Sequence, residues 1–404
     1  MKPNPAYLSI GIVSVLFAAL VGGRMPYFLF YFYILSLLLP LIHCHIGKRW
    51  IVGQLELPAD EVVAGEEIKI KYSISNPLPF SFSWLELENE IAYRLAGKRE
   101  ETLVFPLPPK GSLRGEVTAI CRRRGLYEVG TLELRVRDVL NIFVLKKTIT
   151  EPILLKVFPQ ITTLSNFKIK ASQQMGDLLV RDPLFQDISE ISEIRQYQTG
   201  DSTKKIHWPA TARRDELMIK SYEQKGDSQI LLLLDSYSKS YLNDIENWVE
   251  DKLVETSASI IEYCLKRNIQ LTLCRIDEGK HKAIKGDNPQ YLKSFLQELV
   301  LFRPTGSIEL CQQAEIAATG LQQGATLIFL TPQLSKALGT QGILLKQRNI
   351  NPIFIAVGDN TKEDKWQENK SVGKRLELEG IQVYYIDLKQ DIRAGLEGKY
   401  EKGA

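Results

Sequence analysis

Residues 229–235 read QILLLLD, and this stretch decides the fold of the second half of the chain. An unbroken apolar run of strand length, closed by an acid, is what a strand buried on both faces of a parallel sheet requires. Residues 241–267 follow with helical periodicity. Leu242, Ile245, Val249, Leu253, Ile260, Ile261, Cys264 and Leu265 fall on one face, which predicts a helix along the whole segment. Residues 270–276, 325–330, 352–357 and 383–386 are further buried-strand candidates with helical stretches between them. Alternation of this kind predicts a parallel sheet with helices on both faces, and ligands of such folds bind beyond the carboxyl ends of the strands. Those ends carry Asp235, Asp277, Thr331-Pro332 and Gly358-Asp359. The turns hold no GxGxxG, no GxxxxGK[ST] and no GxSxG, so neither a nucleotide-phosphate loop nor a hydrolase elbow is indicated.

Upstream the period changes to two. Ile68-Lys69-Ile70-Lys71-Tyr72-Ser73-Ile74, Leu85-Glu86-Leu87-Glu88 and Leu132-Glu133-Leu134-Arg135-Val136 alternate, and turn residues such as Ala64-Gly65-Glu66 and Pro108-Pro109-Lys110-Gly111 lie between them. The spacing predicts an antiparallel β-sandwich over residues 49–150. Arg122-Arg123-Arg124 reads as a solvated hairpin edge, with a contact to phosphate or lipid headgroups as the alternative.

At the amino end, residues 6–23 and 27–46 are uncharged and almost wholly apolar, each near the ~20 residues that cross a hydrocarbon core. Arg24-Met25-Pro26 separates them, so residues 1–48 are expected to form a transmembrane helical hairpin that enters the bilayer through residues 6–46. Lys2 before the first span and Lys48-Arg49 after the second outweigh Arg24, which places both ends and all later residues in the cytoplasm. A signal peptide ending near Gly23 is the rival reading. His43-Cys44-His45 offers metal-ligating types at the membrane edge but no fourth ligand, and reads as interfacial polarity.

Composition sets outer limits. The chain has 404 residues, 44% hydrophobic and 25% charged, with 51 Lys and Arg against 48 Asp and Glu. A net charge of +3 argues against a nucleic-acid coat. Five scattered cysteines without a CxxC pair argue against a disulfide scaffold or zinc ribbon and fit a reducing compartment. With only four histidines, two of them in the membrane segment, no His/Asp/Glu cluster supports a metalloenzyme.

Three stretches together resemble the domain-of-unknown-function 58 family. They are Cys121-Arg122-Arg123-Arg124-Gly125-Leu126-Tyr127-Glu128-Val129-Gly130 with Arg137-Asp138-Val139-Leu140-Asn141-Ile142-Phe143, then Val157-Phe158-Pro159, and then a long block within residues 194–217. In that block Arg195, Tyr197, Gly200, Asp201, His207, Trp208, Ala212 and Arg213 carry the signature. Val139 and Asn141 stand where the family usually has Pro and Gly. The resemblance makes residues 151–228 a connecting segment and residues 229–404 a domain similar to a von Willebrand factor A domain. It implies a membrane-anchored adaptor, not an enzyme, whose protein partner is a MoxR-type AAA+ ATPase.

Domains of that type often hold Mg²⁺ at D-x-S-x-S. Here Asp235 matches the acid, Tyr237 and Lys239 occupy the serine positions, and Thr331 stands at the third-loop acid. Asp235, Ser236 and Ser238 are the metal candidates, with Ser240 and Thr305 as further hydroxyls; a metal-free relic is the expected state, because a Lys beside a divalent cation is unfavourable. The signature block is expected to be a structural lock with Trp208 packed under the α/β domain and Asp201 paired to an Arg. His207 with Asp201 lacks a nucleophile in matching context. A divalent-metal-dependent enzyme and an anionic-lipid-binding protein are the alternative functions.

Overall fold

The computed structural model describes residues 5–89, 95, 102–138, 142–167, 169, 193–196, 207–214, 216–221, 229–277, 280–360 and 363–398. The chain divides into two compact units, Met1–Gln160 with Leu296–Leu301, and Ile161–Phe295 with Phe302–Ala404.

In the first unit, helix α1 (Pro5–Val21) and helix α2 (Arg24–Trp50) pack on each other. Their joint is Gly22-Gly23, both at positive φ (64° and 89°). Two residues without a Cβ take the left-handed conformations that reverse the chain at low cost. The expected turn at Arg24-Met25-Pro26 is thus corrected. Those residues open α2, and proline is tolerated in a first helical turn, where its missing N–H has no partner to lose. Among the described residues one helix, Arg24–Trp50, is long and apolar enough to cross a membrane; the apolar part of α1 is shorter, Ser9–Val21.

Helix α2 runs straight into strands. They are β1 (Val52–Glu56), β2 (Glu61–Val63), β3 (Glu67–Ser75), β4 (Phe82–Asn89), β5 (Leu103–Leu107), β6 (Ser112–Ile120), β7 (Gly125–Val129), β8 (Leu132–Arg137), β9 (Val144–Thr148) and β10 (Ile153–Phe158). Three sheets, ordered β1-β3-β6, β2-β10-β7 and β5-β4-β8-β9, share one apolar core. The alternation read from the sequence is what fills it. Ile68, Ile70 and Ile74 of β3 and Leu132, Leu134 and Val136 of β8 turn inward while their charged neighbours face out. Two details depart from expectation. The strand region extends past residue 150 through β10, and β10 pairs with β2 in parallel, so the pairing is not wholly antiparallel. Arg124 is 2% exposed and not on a solvated edge, whereas Arg122 is exposed.

The second unit begins with β11 (Glu193–Gln196), α3 (Trp208–Arg214) and β12 (Met218–Ser221). The chain continues through β13 (Ile230–Leu234), α4 (Trp248–Lys266), β14 (Leu271–Asp277), β15 (Lys280–Gly286), α5 (Leu292–Leu301, whose residues from Leu296 on are grouped with the first unit), α6 (Leu310–Ala318), β16 (Thr326–Thr331), α7 (Lys336–Gln347), β17 (Asn351–Gly358), α8 (Glu363–Leu378), β18 (Gln382–Asp387) and α9 (Ile392–Glu397). The QILLLLD run is the central strand β13, buried at every position, in a sheet ordered β15-β14-β13-β16-β17-β18. The expectation of an all-parallel sheet needs one correction: β15 is antiparallel to β14 at the edge. Exposed Lys282 and Lys285 on that edge discourage pairing with a further strand.

One face of the sheet is covered by α6, α7 and α8. There Leu231, Leu233, Leu327, Phe329 and Phe354 pack with Ala314, Leu338 and Leu376, and the Phe329 and Phe354 rings stack at 4.6 Å. Helix α4 covers the other face, where Phe167 meets Tyr384 and its carbonyl accepts a hydrogen bond from the Tyr263 hydroxyl at 2.8 Å.

The predicted helix over residues 241–267 is shorter in the structure. Asn247 lies in the left-handed region (φ 55°), and the Asp244 carboxylate accepts a hydrogen bond from the Glu250 N–H at 2.9 Å. A left-handed residue interrupts helical hydrogen bonding, and an acid is stabilised at a helix start. Val249, Leu253, Ile260, Ile261, Cys264 and Leu265 form the buried face as expected, but Leu242 and Ile245 lie outside the helix, 73% and 92% exposed.

Candidate functional site

The carboxyl end of β13 lies beside that of β16. The Asp235 N–H donates to the Leu330 carbonyl at 2.9 Å, which continues the ladder one step and brings Asp235 against Thr331. Both are buried. Thr331 Oγ1 donates to Asp235 Oδ2 at 2.8 Å, the Tyr237 N–H donates to Oδ1 at 3.0 Å, and the Ser240 side chain adds a further hydrogen bond. The Tyr241 hydroxyl donates to the Asp235 carbonyl at 2.7 Å. Burial pushes the Asp235 carboxyl up to about 6, with the three hydrogen bonds opposing and the charge of Glu309 adding to it.

Thr331 has one hydroxyl proton and two acceptors in reach, Asp235 Oδ2 and the Gln333 carbonyl at 2.9 Å. A protonated Asp235 can donate to Thr331 and free that hydroxyl for Gln333, so the pair accommodates either charge state.

The loop after β13 is sewn to residue 306. Gly306 N–H donates to the Ser236 carbonyl at 2.7 Å and Ser238 N–H to the Gly306 carbonyl at 2.9 Å. Ser236 is fully buried, and Gln313 Nε2 donates to its hydroxyl at 3.4 Å. Ser238, Lys239 and Thr305 are exposed. Of the metal candidates, then, Asp235 and Ser236 are inside and Ser238 is outside. A cleft of about 150 Å³ opens beside Asp235, lined among others by Tyr237, Ser240, Glu309, Cys311 and Gln333. A smaller cleft that Ser240 also lines includes Tyr241, Asp244, Val357, Asp359 and Trp366 among others. Leu242 and Ile245 follow on the same loop, and Trp248, 54% exposed, opens α4.

The donor set around Asp235 is already engaged within the protein. Both Asp235 oxygens are engaged by protein hydrogen-bond donors, the third-loop position is a neutral threonine, and Ser238 has turned outward. Among the described residues no group of three or more His, Cys, Asp or Glu could hold a metal. His43, Cys44 and His45 do not converge: the His43 ring stacks on Phe82 at 4.5 Å, Cys44 is buried and His45 is exposed.

The signature block is described in part. Arg195 sits on β11, paired opposite Ile219 of β12. Tyr197, Gly200 and Asp201 lie outside the described residues. His207 starts α3: its N–H donates to the Met218 carbonyl at 2.8 Å, and its Nδ1 accepts from the Ala210 N–H at 3.0 Å, which makes it a helix cap. Thr211 Oγ1 accepts from the Met218 N–H at 3.0 Å. Trp208 is 66% exposed, and Ala212, Arg213 and Arg214 are exposed. The expected burial of Trp208 is therefore corrected, since α3 is tied down through His207 and Thr211 and its indole faces solvent. Sequence reasoning also missed Glu309 and Tyr241. A single Glu before a helix and a Tyr at i+6 from an acid carry no spacing signal.

Residues 193–365 match the model of a family described as "Protein of unknown function DUF58", in agreement with the resemblance carried by the signature block. The chain is 22% identical over 329 residues to the "Uncharacterized protein YeaD" of Bacillus subtilis (strain 168), covering 79% of this chain and 80% of that protein. Among solved structures, the CARDB domain of the PF1109 protein from Pyrococcus furiosus aligns with 26% of this chain and 91% of its own, at 15% identity and a TM-score of 0.21. Proximal thread matrix protein 1 from the mussel byssus aligns with 33% of this chain and 38% of its own, at 13% identity and a TM-score of 0.26. Likenesses this loose carry no argument about fold or ligand.

Proposed function

We propose that this chain, with its DUF58 region, is a membrane-anchored interaction protein and not an enzyme. In this reading α1 and α2 form a two-span hairpin with both ends in the cytoplasm. The β-rich region is the base, and the α/β region is a von Willebrand factor A-like domain that docks a protein partner. The sheet order with one antiparallel edge strand supports the A-like reading. The family resemblance is what nominates a MoxR-type AAA+ ATPase as the partner.

The observation that carries the proposal is the loop at the carboxyl end of β13. Leu242, Ile245 and Trp248 are exposed, and their chain neighbours Tyr241, Asn243, Asp244 and Val249 line the smaller of the two clefts. Scattered exposed apolar side chains are ordinary, but three within seven residues, on a segment that lines a cleft, supply the apolar anchors a docking surface needs. The test is co-purification from detergent extract of cells holding the ATPase. Ile245→Asp and Leu242→Asp should lose the ATPase at an unchanged unfolding midpoint, and undiminished retention would overturn the proposal.

A further inference from the structure

Residues 72–85, YSISNPLPFSFSWL, contain no charge, and their middle is the loop between β3 and β4. That loop clasps the end of α2. His43 Nε2 donates to the Ser81 carbonyl at 3.1 Å, the His43 ring lies 5.4 Å from the Phe80 ring and 4.5 Å from the Phe82 ring, and Phe82 packs on Gly47.

The depth of this clasp follows from helix geometry. At a rise of about 1.5 Å per residue, His43 lies about 7.5 Å toward the membrane from Lys48. If residues 27–46 fill the hydrocarbon core, His43 is roughly 4.5 Å inside its cytoplasmic boundary. A loop hydrogen-bonded to His43 cannot stand clear of the bilayer.

Much of the loop's backbone is satisfied from within the protein. Backbone polar groups entering a membrane must be satisfied within the protein. Here Pro77 and Pro79 have no N–H to satisfy. The Asn76 N–H donates to the Gly111 carbonyl at 2.9 Å and the Leu78 N–H to Asn76 Oδ1 at 3.1 Å. The Leu78 carbonyl accepts from the Lys110 N–H at 3.0 Å, the Phe80 carbonyl from Asn76 Nδ2 at 2.8 Å, and the Ser81 carbonyl from His43. Lys48, Arg49 and Lys110 are exposed around this end, as cations at the phosphate level would be.

We propose that residues 77–81 form a second membrane contact: a Pro-Leu-Pro-Phe loop lying in the lipid interface beside α2, which seats the β-rich region on the bilayer in one orientation. The occupant of this surface is lipid, because the loop is held at the depth of the span. The inference rests on α2 being a span.

The test uses the full chain in phosphatidylcholine–phosphatidylglycerol vesicles, in a Cys311→Ser background. Pro79→Cys, and separately Pro77→Cys, carry an environment-sensitive fluorophore. Lys69→Cys, roughly 23 Å away along β3, is the control. Lipids with a nitroxide near the headgroup should quench the label at 79 or 77 at least two-fold more than at 69. Equal quenching in a chain that floats with the vesicles would overturn this inference alone. A blue-shifted label without nitroxide quenching means that protein, a second copy or a partner, covers the loop, and overturns it too. A chain that fails to float overturns both this inference and the span.

Discussion

Thr331 Oγ1 donates across 2.8 Å to Asp235 Oδ2, joining the carboxyl ends of the two central strands inside the protein. This bond holds a carboxylate where burial disfavours charge, and it has a measurable consequence. The folded value of about 6 lies above the ordinary 3.8. Between those values the folded chain binds more protons than the unfolded chain, so Asp235 makes stability fall as pH rises from about 4 to about 6, and level off above. The fall is worth up to about 3 kcal/mol. Asp235→Asn should lack it. Unfolding midpoints of both proteins at pH 4.5 and 7.5 check this, and parallel pH profiles would contradict it.

Millimolar Mg²⁺ should leave the melting temperature unchanged. A ligand of the folded state at 100 times its Kd adds about 2.7 kcal/mol, an effect a melting curve reads easily. The donors around Asp235 are already taken and Lys239 stands at a serine position. A rise with Mg²⁺ that disappears in Asp235→Ala would show a cation site.

Trp208→Ala should change stability by no more than about 0.5 kcal/mol, the ordinary range for exposed positions. Arg213→Ala should behave alike. A loss of about 3–5 kcal/mol in Trp208→Ala, the cost of removing a core indole, would restore the structural-lock reading.

Gly47→Ala should destabilise the first unit. A Cβ there would clash with Cε1 of Phe82, whose ring is fully buried beside His43 and Phe80. Alanine gains about 1 kcal/mol of helix propensity. Overpacking costs about 1–3 kcal/mol, and a ring without room to turn sits toward the upper end. The net loss should shrink when Phe82→Leu is added, since contacting residues are not additive. Additive losses would argue that the clasp is not formed.

Cysteine chemistry checks the side of the membrane. Cys44, Cys121, Cys264 and Cys274 are buried and Cys311 is half-buried, so Cys311 is the site to watch. A membrane-impermeant maleimide should spare it in intact cells and reach it after permeabilisation. Burial raises its thiol pKa, so labelling should quicken with rising pH. Modification in intact cells would reverse the proposed topology.

Much of this protein is legible in its residues, because burial imposes a period. The apolar run at 229–235, the alternation at 68–74 and 132–136, and the uncharged stretch at 27–46 each name an element, since a strand or helix must show its apolar side chains to whatever excludes water. Periodicity is blind to interruptions and to partners. Leu242 and Ile245 continue the helical period of Val249 and Leu253, yet Asn247 in the left-handed region and the Asp244 cap start α4 after them. Trp208 has the size of a core residue, but whether an indole is covered depends on what packs over α3, which no local pattern records. The charge of Asp235 was likewise decided by tertiary structure: its burial and its bond to Thr331, 96 residues away, arise only when β13 and β16 lie side by side. The sequence by itself determined the elements, because they follow from local covalent and hydrophobic spacing. Only the tertiary structure decided which loop faces water and which acid is buried, because those depend on contacts between residues far apart in the chain.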